Sequence, residues 1–230
     1  MKIHGLQKMT LLDFPGRVAC TIFLGGCDFR CPFCHNSDLL DASAPAEMED
    51  DELLSFLKKR TGLLEGVAIT GGEPLLRRDI EYLLREIKAL GYPVKLDTNG
   101  NHPDVLKRIV DEGLVDYIAM DIKNSPARYA ETIGLENFDL AKVEESKNFL
   151  ISQTKCDYEF RTTVINEFHD ADSFRAIGPW IEGAGKYFLQ KFEDRETVPF
   201  AGLTSPSPED MESYRQIVLP YVKEASLRGV

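Results

Sequence analysis

The sequence predicts an α/β fold built on a parallel sheet, and three observations carry that expectation. Short apolar runs alternate with amphipathic segments along all 230 residues. The runs are near-continuously apolar, as strands covered on both faces are. Four of them end in distinctive polar motifs: GGCD, TGGEP, DTNG and MDIK. Six strand–helix units with right-handed crossovers give a parallel sheet that can close partly into a barrel or stay open and doubly wound. The pattern by itself is compatible with both.

The units follow in order. VACTIFLGG (18–26) reads as the first strand, and a cysteine-bearing loop (25–36) follows it. EDDELLSFLKKRTG (49–62) has helical spacing at Leu53, Leu54 and Leu57. GVAITGG (66–72) is a strand, and RRDIEYLLREIKALG (77–91) is a helix with Ile80, Leu83, Leu84 and Ile87 on one face. PVKLDTNG (93–100) precedes the helix PDVLKRIVDEG, which Gly113 ends. VDYIAMDIK (115–123) precedes ARYAETIG and a helix around 140–153. YEFRTTVI (158–165) precedes SFRAIGPWIEG, and KYFLQKF (186–192) precedes a last helix near 208–226. No linker, low-complexity tract or exact repeat divides the chain, so a single domain over 1–230 is expected, with 193–230 its C-terminal loop and helix. The loop 193–207, rich in Pro and Ser, is either a surface excursion or part of a substrate entrance.

Composition narrows the function classes. Apolar content of 43% and charged content of 28% are those of an ordinary globular protein. No run approaches roughly 18 apolar residues, and the N-terminus lacks the pattern of a secretory signal, so no membrane span and a cytoplasmic location are expected. A net charge of −11 argues against nucleic acid as a partner and suits solubility.

In parallel α/β architectures ligands sit at the C-terminal ends of the strands, so four motif-bearing ends are expected to converge on one site. Three of the five cysteines, Cys27, Cys31 and Cys34, fall within GGCDFRCPFCHN (25–36). In a reducing compartment such a cluster reads as metal-binding or catalytic. A structural zinc needs a fourth ligand, and His35, the nearest, is awkwardly placed beside Cys34. Spacing alone leaves zinc, an iron–sulfur cluster and packing without metal open, and the usual ligation of such clusters by thiolates favours the second. Cys20 lies inside an apolar strand and reads as a small buried hydrophobe.

CxxxCxxC after the first strand, with GGEP one strand later, resembles the radical S-adenosylmethionine (radical SAM) superfamily. The resemblance implies a partial (β/α)6 barrel, with Cys27, Cys31 and Cys34 holding a [4Fe–4S] cluster. S-adenosylmethionine would chelate the fourth iron through its amino and carboxylate groups. Gly71, Gly72 and Glu73 would meet the amino group, two glycines letting the backbone come close to the ligand. Phe33 and His35 would lie near the adenine, as would Gln190 in the last strand.

Across nearly the whole chain the sequence is most similar to glycyl-radical-enzyme activating proteins. LDFPGRVACTIFLGGCDFRCPFCHNSDL resembles their N-terminal region, with Asp13, Pro15 and Gly16 ahead of the first strand and Cys-His-Asn after the third cysteine. By similarity Asp13 helps hold the glycyl loop. Asp97, Thr98 and Asp121 match positions that in pyruvate formate-lyase activases contribute to a monovalent-cation site beside the cofactor carboxylate. Lys123 and Arg161 match positions where positive charge approaches the cofactor. Plainer readings stand beside these: Asp97 as a turn initiator, Asp121 with Lys123 as a structural ion pair, and Arg161 as a strand-end charge. No cysteine lies between Cys34 and the GGEP strand, so the chain matches the single-cluster type, most like anaerobic ribonucleoside-triphosphate reductase activating proteins.

The resemblance implies a flavodoxin or ferredoxin as electron donor. Reductive cleavage of S-adenosylmethionine would give a 5′-deoxyadenosyl radical, which takes a hydrogen from a glycine Cα of a partner such as anaerobic ribonucleotide reductase. Two rivals are a radical SAM enzyme acting on a small molecule or a peptide side chain, and a non-catalytic zinc or iron–sulfur module.

Overall fold

A computed structural model describes residues 2–230. Ten strands and seven α-helices follow the chain: β1 Lys2–Ile3, β2 Gly5–Thr10, β3 Ala19–Leu24, β4 Met48–Glu49, α1 Asp50–Lys59, β5 Gly66–Gly71, α2 Ile80–Ala89, β6 Val94–Thr98, α3 Pro103–Asp111, β7 Tyr117–Asp121, α4 Tyr129–Thr132, α5 Ala141–Ser152, β8 Asp157–Val164, α6 Ala171–Trp180, β9 Lys186–Lys191, α7 Pro208–Val218 and β10 Glu224–Arg228. Eight of the strands form one sheet in the order β10-β9-β8-β7-β6-β5-β3-β2. The sheet has two edges, so it does not close into a barrel. Pairing is parallel from β3 to β5, β5 to β6, β8 to β9 and β9 to β10, and antiparallel between β2 and β3.

All six expected strands are present. Two sheet strands were not anticipated. β2 is an antiparallel edge strand with exposed residues at Gln7, Lys8 and Met9 and little apolar periodicity. β10 replaces the end of the expected last helix, because α7 stops at Val218 and Pro220, which has no N–H to donate, follows. Among the described residues no helix is long and apolar enough to cross a membrane.

The chain groups into two compact units. The first comprises residues up to 28, 38–119 and 154–157. In it Thr21, Ala68 and Lys95 lie abreast on β3, β5 and β6, while Cys20, Val67 and Val94, then Ile22, Ile69 and Leu96, form fully buried apolar rows on the opposite face. α1, lying against α2, contributes Leu53 and Leu57, and α2, lying against β6, contributes Leu83, Leu84 and Ile87, all fully buried. Each such side chain contributes about 1.5–3 kcal/mol. α1 begins at Glu49, which shares a capping box with Glu52, and carries acids in its first turn and Lys58 and Lys59 in its last, matching the helix dipole. The second unit comprises 29–37, 120–153 and 158–230. There Phe160, Val164, Tyr187 and Leu189 point from β8 and β9 to one buried side, and Phe174 and Ile177 of α6 and Met211 of α7 are equally buried.

Candidate functional site

In the first unit three of the four motifs are joined by hydrogen bonds. The GG of TGGEP folds back on the end of β3: Gly72 N donates to Leu24 O (2.8 Å) and Glu73 N to Gly26 O (2.7 Å). Gly71 has φ +120°, and a Cβ there would stand 2.3 Å from Leu24 O; at Gly72 it would stand 2.2 Å from Gly26 O. No residue with a side chain fits either position. The close approach of the backbone that leads to Cys27 thus by itself requires glycine at both positions. Cys27 N itself donates to Leu40 O (3.2 Å), and Gly25 N to His4 Nδ1 (2.8 Å).

Glu73 is buried, 1% exposed, and its carboxylate accepts from Leu75 N (3.0 Å), Thr98 Oγ1 (2.9 Å) and Asn99 N (2.6 Å). Burial pushes it up to about 7, against these three bonds and with the nearby Asp28 charge adding to the rise. Asn99 is the node, since its side-chain amide donates to Asp28 (2.7 Å). Asp28 also accepts from Asn101 Nδ2 (2.6 Å) and His102 Nε2 (3.0 Å). Burial raises Asp28, but the bonds from His102, Asn101 and Asn99 outweigh it and hold the carboxyl down at about 2. The residue after Cys27 is thereby clamped to the segment after β6. Among the described residues two buried side-chain atoms lack a partner, His4 Nε2 and Asn101 Oδ1, and they belong to residues bonded to Gly25 and Asp28 on either side of Cys27.

Asp97 carries an ion pair with Lys95, two residues earlier on the same face of β6 and only 3% exposed. Thr98, besides donating to Glu73, accepts from Gly100 N (3.1 Å). Asp13 lies ahead of β3, where its carboxylate accepts from Thr21 Oγ1 (2.5 Å), a mid-strand hydroxyl in the row of Lys95.

In the second unit Cys34 N closes a turn on Cys31 O (3.2 Å). Burial raises the Cys34 thiol, which the Asn36 amide and the Lys123 ammonium lower. Phe33 is 5% exposed with its ring 5.7 Å from that of Phe168, and His35 stacks on Phe192 at 5.4 Å while its Nε2 donates to Glu193 O (2.7 Å). Asp121 stands between two cations, accepting from Lys123 Nζ (2.8 Å) and Arg161 Nε (3.0 Å). Burial alone would raise it, yet Arg161 and Lys123 bring it to about 2. Burial works against the Lys123 charge, but Asp121 and Cys31 raise its proton affinity. Gln190 lies abreast of Thr163 where β9 pairs with β8. The loop 193–207 lies along the cysteine segment: Ser37 Oγ donates to Thr197 O, and Phe200 N to Pro32 O (3.3 Å).

Reading the sequence singled out Cys27, Glu73, Asp97 and Thr98 but not Asp28, Lys95, Asn99, Asn101 or His102, which bind them together. The available signals were the acid directly after Cys27 and the alternation of Val94 and Leu96 with Lys95 and Asp97.

The family described as the radical SAM superfamily matches residues 21–148, more than half the chain. A Methanocaldococcus jannaschii protein, described as a candidate glycyl-radical enzyme activating enzyme, is 27% identical over 99% of this chain and 96% of its own length. The pyruvate formate-lyase-activating enzyme of Clostridium pasteurianum is 31% identical over 54% of this chain, and the match spans about half, 52%, of that enzyme. In fold, the chain superposes on a radical SAM methyltransferase from Sphaerobacter thermophilus with TM-score 0.74 at 15% identity, covering 96% of this chain and 68% of that one.

Proposed function

The chain belongs to the radical SAM superfamily, and from that premise we propose that it is an activase which generates a glycyl radical on a partner enzyme, anaerobic ribonucleoside-triphosphate reductase. The family uses a [4Fe–4S] cluster and S-adenosylmethionine. The observation that carries the activase reading is the likeness along almost the full length to an activating-enzyme relative.

The donor chemistry of the residues present suits both groups, although among the described residues no three potential ligands already stand together as a metal cluster. Cys27, Cys31 and Cys34 form no disulfide, and their thiols are soft donors for three irons. Lys123 sits in the field of Cys31 and Cys34, where an ammonium offsets the negative charge that thiolates acquire on ligation. An acceptor without a donor, Asn101 Oδ1, remains next to Asp28, which suits a cofactor bearing ammonium and hydroxyl groups. When bound, the cluster and S-adenosylmethionine together supply a 5′-deoxyadenosyl radical by one-electron reductive cleavage. The protein's own work is positional. Asp28, Asn99 and Glu73 hold the Cys27 segment to the ends of β5 and β6. Asp121 aims Lys123 and Arg161 as a fixed pair of cations. His35 and Phe33 anchor the Cys31–Cys34 turn on Phe192 and Phe168. Flavodoxin or ferredoxin is the donor that this reading requires.

Low-temperature EPR tests it, on the anaerobically reconstituted, reduced protein mixed with S-adenosylmethionine and the reductase from the same source. A persistent carbon-centred doublet on the reductase is expected, and Cys27→Ala, Cys31→Ala and Cys34→Ala each abolish it together with cofactor cleavage. A cluster signal perturbed by S-adenosylmethionine but no doublet removes this partner, and other glycyl radical enzymes and then small molecules come next. Turnover retained in any cysteine variant overturns the cluster assignment.

A further inference from the structure

We propose that Lys95 is a built-in cation, whose ammonium takes the place of a bound monovalent ion at the end of β6 and makes S-adenosylmethionine binding independent of Na+ and K+.

The residues that similarity nominates for an ion are already occupied. Asp97 is paired with Lys95. The Thr98 hydroxyl donates to Glu73 and accepts from Gly100 N. Asp121 accepts from both Lys123 and Arg161. An alkali ion brought to Asp97 would meet a side chain whose charge is already balanced and would be repelled by the ammonium.

The strand is built for this pair. Val94 and Leu96 are fully buried on one face of β6, and the intervening positions turn Lys95 and Asp97 to the other. Lys95 lies abreast of Ala68, a small neighbour for its four methylenes. Its side chain is 4% exposed and that of Asp97 is 17%. Taking charged groups this far from water is costly unless they are paired, and the Lys95–Asp97 ion pair supplies that pairing. One and two residues on from Asp97, Thr98 Oγ1 and Asn99 N both end on Glu73, so the charge balance at Asp97 bears on the strand end that leads into the Glu73 network.

The inference rests on the activase reading for its ligand, and the test separates the two. Binding of S-adenosylmethionine to the cluster-loaded protein is measured by calorimetry in a tetramethylammonium buffer, whose cation is too large to enter, and again with Na+ or K+ at the same ionic strength. Thermal unfolding without S-adenosylmethionine is recorded in the same buffers. Wild type is expected to show less than a twofold change in affinity. Lys95→Met is expected to lose tenfold or more in tetramethylammonium. It should recover with K+, Na+ or methylammonium, and its melting temperature should rise with the same ions. Lys95→Arg retains the charge and should ignore the ions. Should Lys95→Met not fold, Lys95→Met with Asp97→Asn removes both charges and should fold and ignore the ions. A wild type that needs an alkali ion, a Lys95→Met protein indifferent to all three ions, or a double variant that still requires them overturns the proposal. If no form binds S-adenosylmethionine, the activase reading fails, and the ion response of the melting curves still decides the role of Lys95.

Discussion

Glu73 shows how a single buried group can hold a site together and bias its pH dependence. Three donors aim at its carboxylate, while burial and the charge of Asp28 push its proton affinity up to about 7 from 4.5. The folded chain therefore binds this proton more tightly than the unfolded chain, and the contribution of Glu73 to stability falls as the pH rises from about 4.5 to 7. His169, pushed down to about 4 from 6.5 by burial, gives the opposite slope in an overlapping range, so the informative quantity is a difference. Asp28 acts lower, between 3.8 and about 2. Glu73→Gln cannot ionise, and melting curves between pH 4.5 and 7 should show a stability that falls less with pH than in wild type. They should also show a constant loss of about 1–3 kcal/mol, because one of the three donors now meets an NH2 group. A parallel pH profile would exclude the raised proton affinity of Glu73.

The loop 193–207 is an element without regular structure whose hydrogen bonds give it a definite position. It leaves β9 at Phe192 under the His35 ring, accepts from Ser37 at Thr197, and donates from Phe200 to Pro32. It then returns to the fold through Thr204, which accepts from Asn166 Nδ2 (2.9 Å) and donates to Glu167 (2.7 Å). Such a strap restrains residues 32–37, the stretch that holds Cys34. Ser37→Ala removes one side-chain bond worth about 0.5–1.5 kcal/mol, which corresponds to roughly two- to tenfold faster local opening. Hydrogen exchange should report that acceleration at the amides of both 32–37 and 193–200. Acceleration confined to Ser37 and its neighbours would show that the loop does not brace the cysteine segment. Sequence pattern identified the loop by its Pro and Ser content but could not show what it leans on, because three of the five contacts just named join residues over 150 positions apart.

At the scale of the molecule the sheet is open, and its far edge is stabilised by charge. β10 pairs with β9 and brings Arg228 over the Phe188 ring at 3.5 Å, where the guanidinium donates to both oxygens of Glu159 (2.7 and 2.8 Å). Glu159 is fully buried and the Arg228 side chain is one-third exposed. Arg228→Ala deprives a buried carboxylate of its bidentate counter-ion, and a loss of about 3 kcal/mol is expected in urea unfolding. Combining it with Glu159→Gln should recover part of that loss; an equal loss in both variants would assign the effect to the packing of Arg228 on Phe188.

Local information was enough for the six buried strands, most of the helices and the CxxxCxxC and GGEP motifs, because periodicity and ligand spacing are properties of neighbouring residues. It erred at 219–226, where a proline and an available sheet edge override helical spacing, and at β2, whose strand character comes from pairing with β3. The resemblance nominated Asp97, Thr98 and Asp121 for an ion site, and of their partners the sequence reading offered only Lys123 for Asp121. What tertiary structure alone decided is which groups meet: Asn99 bridging Asp28 and Glu73, Asp121 between Lys123 and Arg161, and the glycines of TGGEP against the backbone that precedes Cys27. These contacts join residues far apart in sequence, and burial changes what they do, since a charge removed from water must find a partner, lose its charge or destabilise the fold.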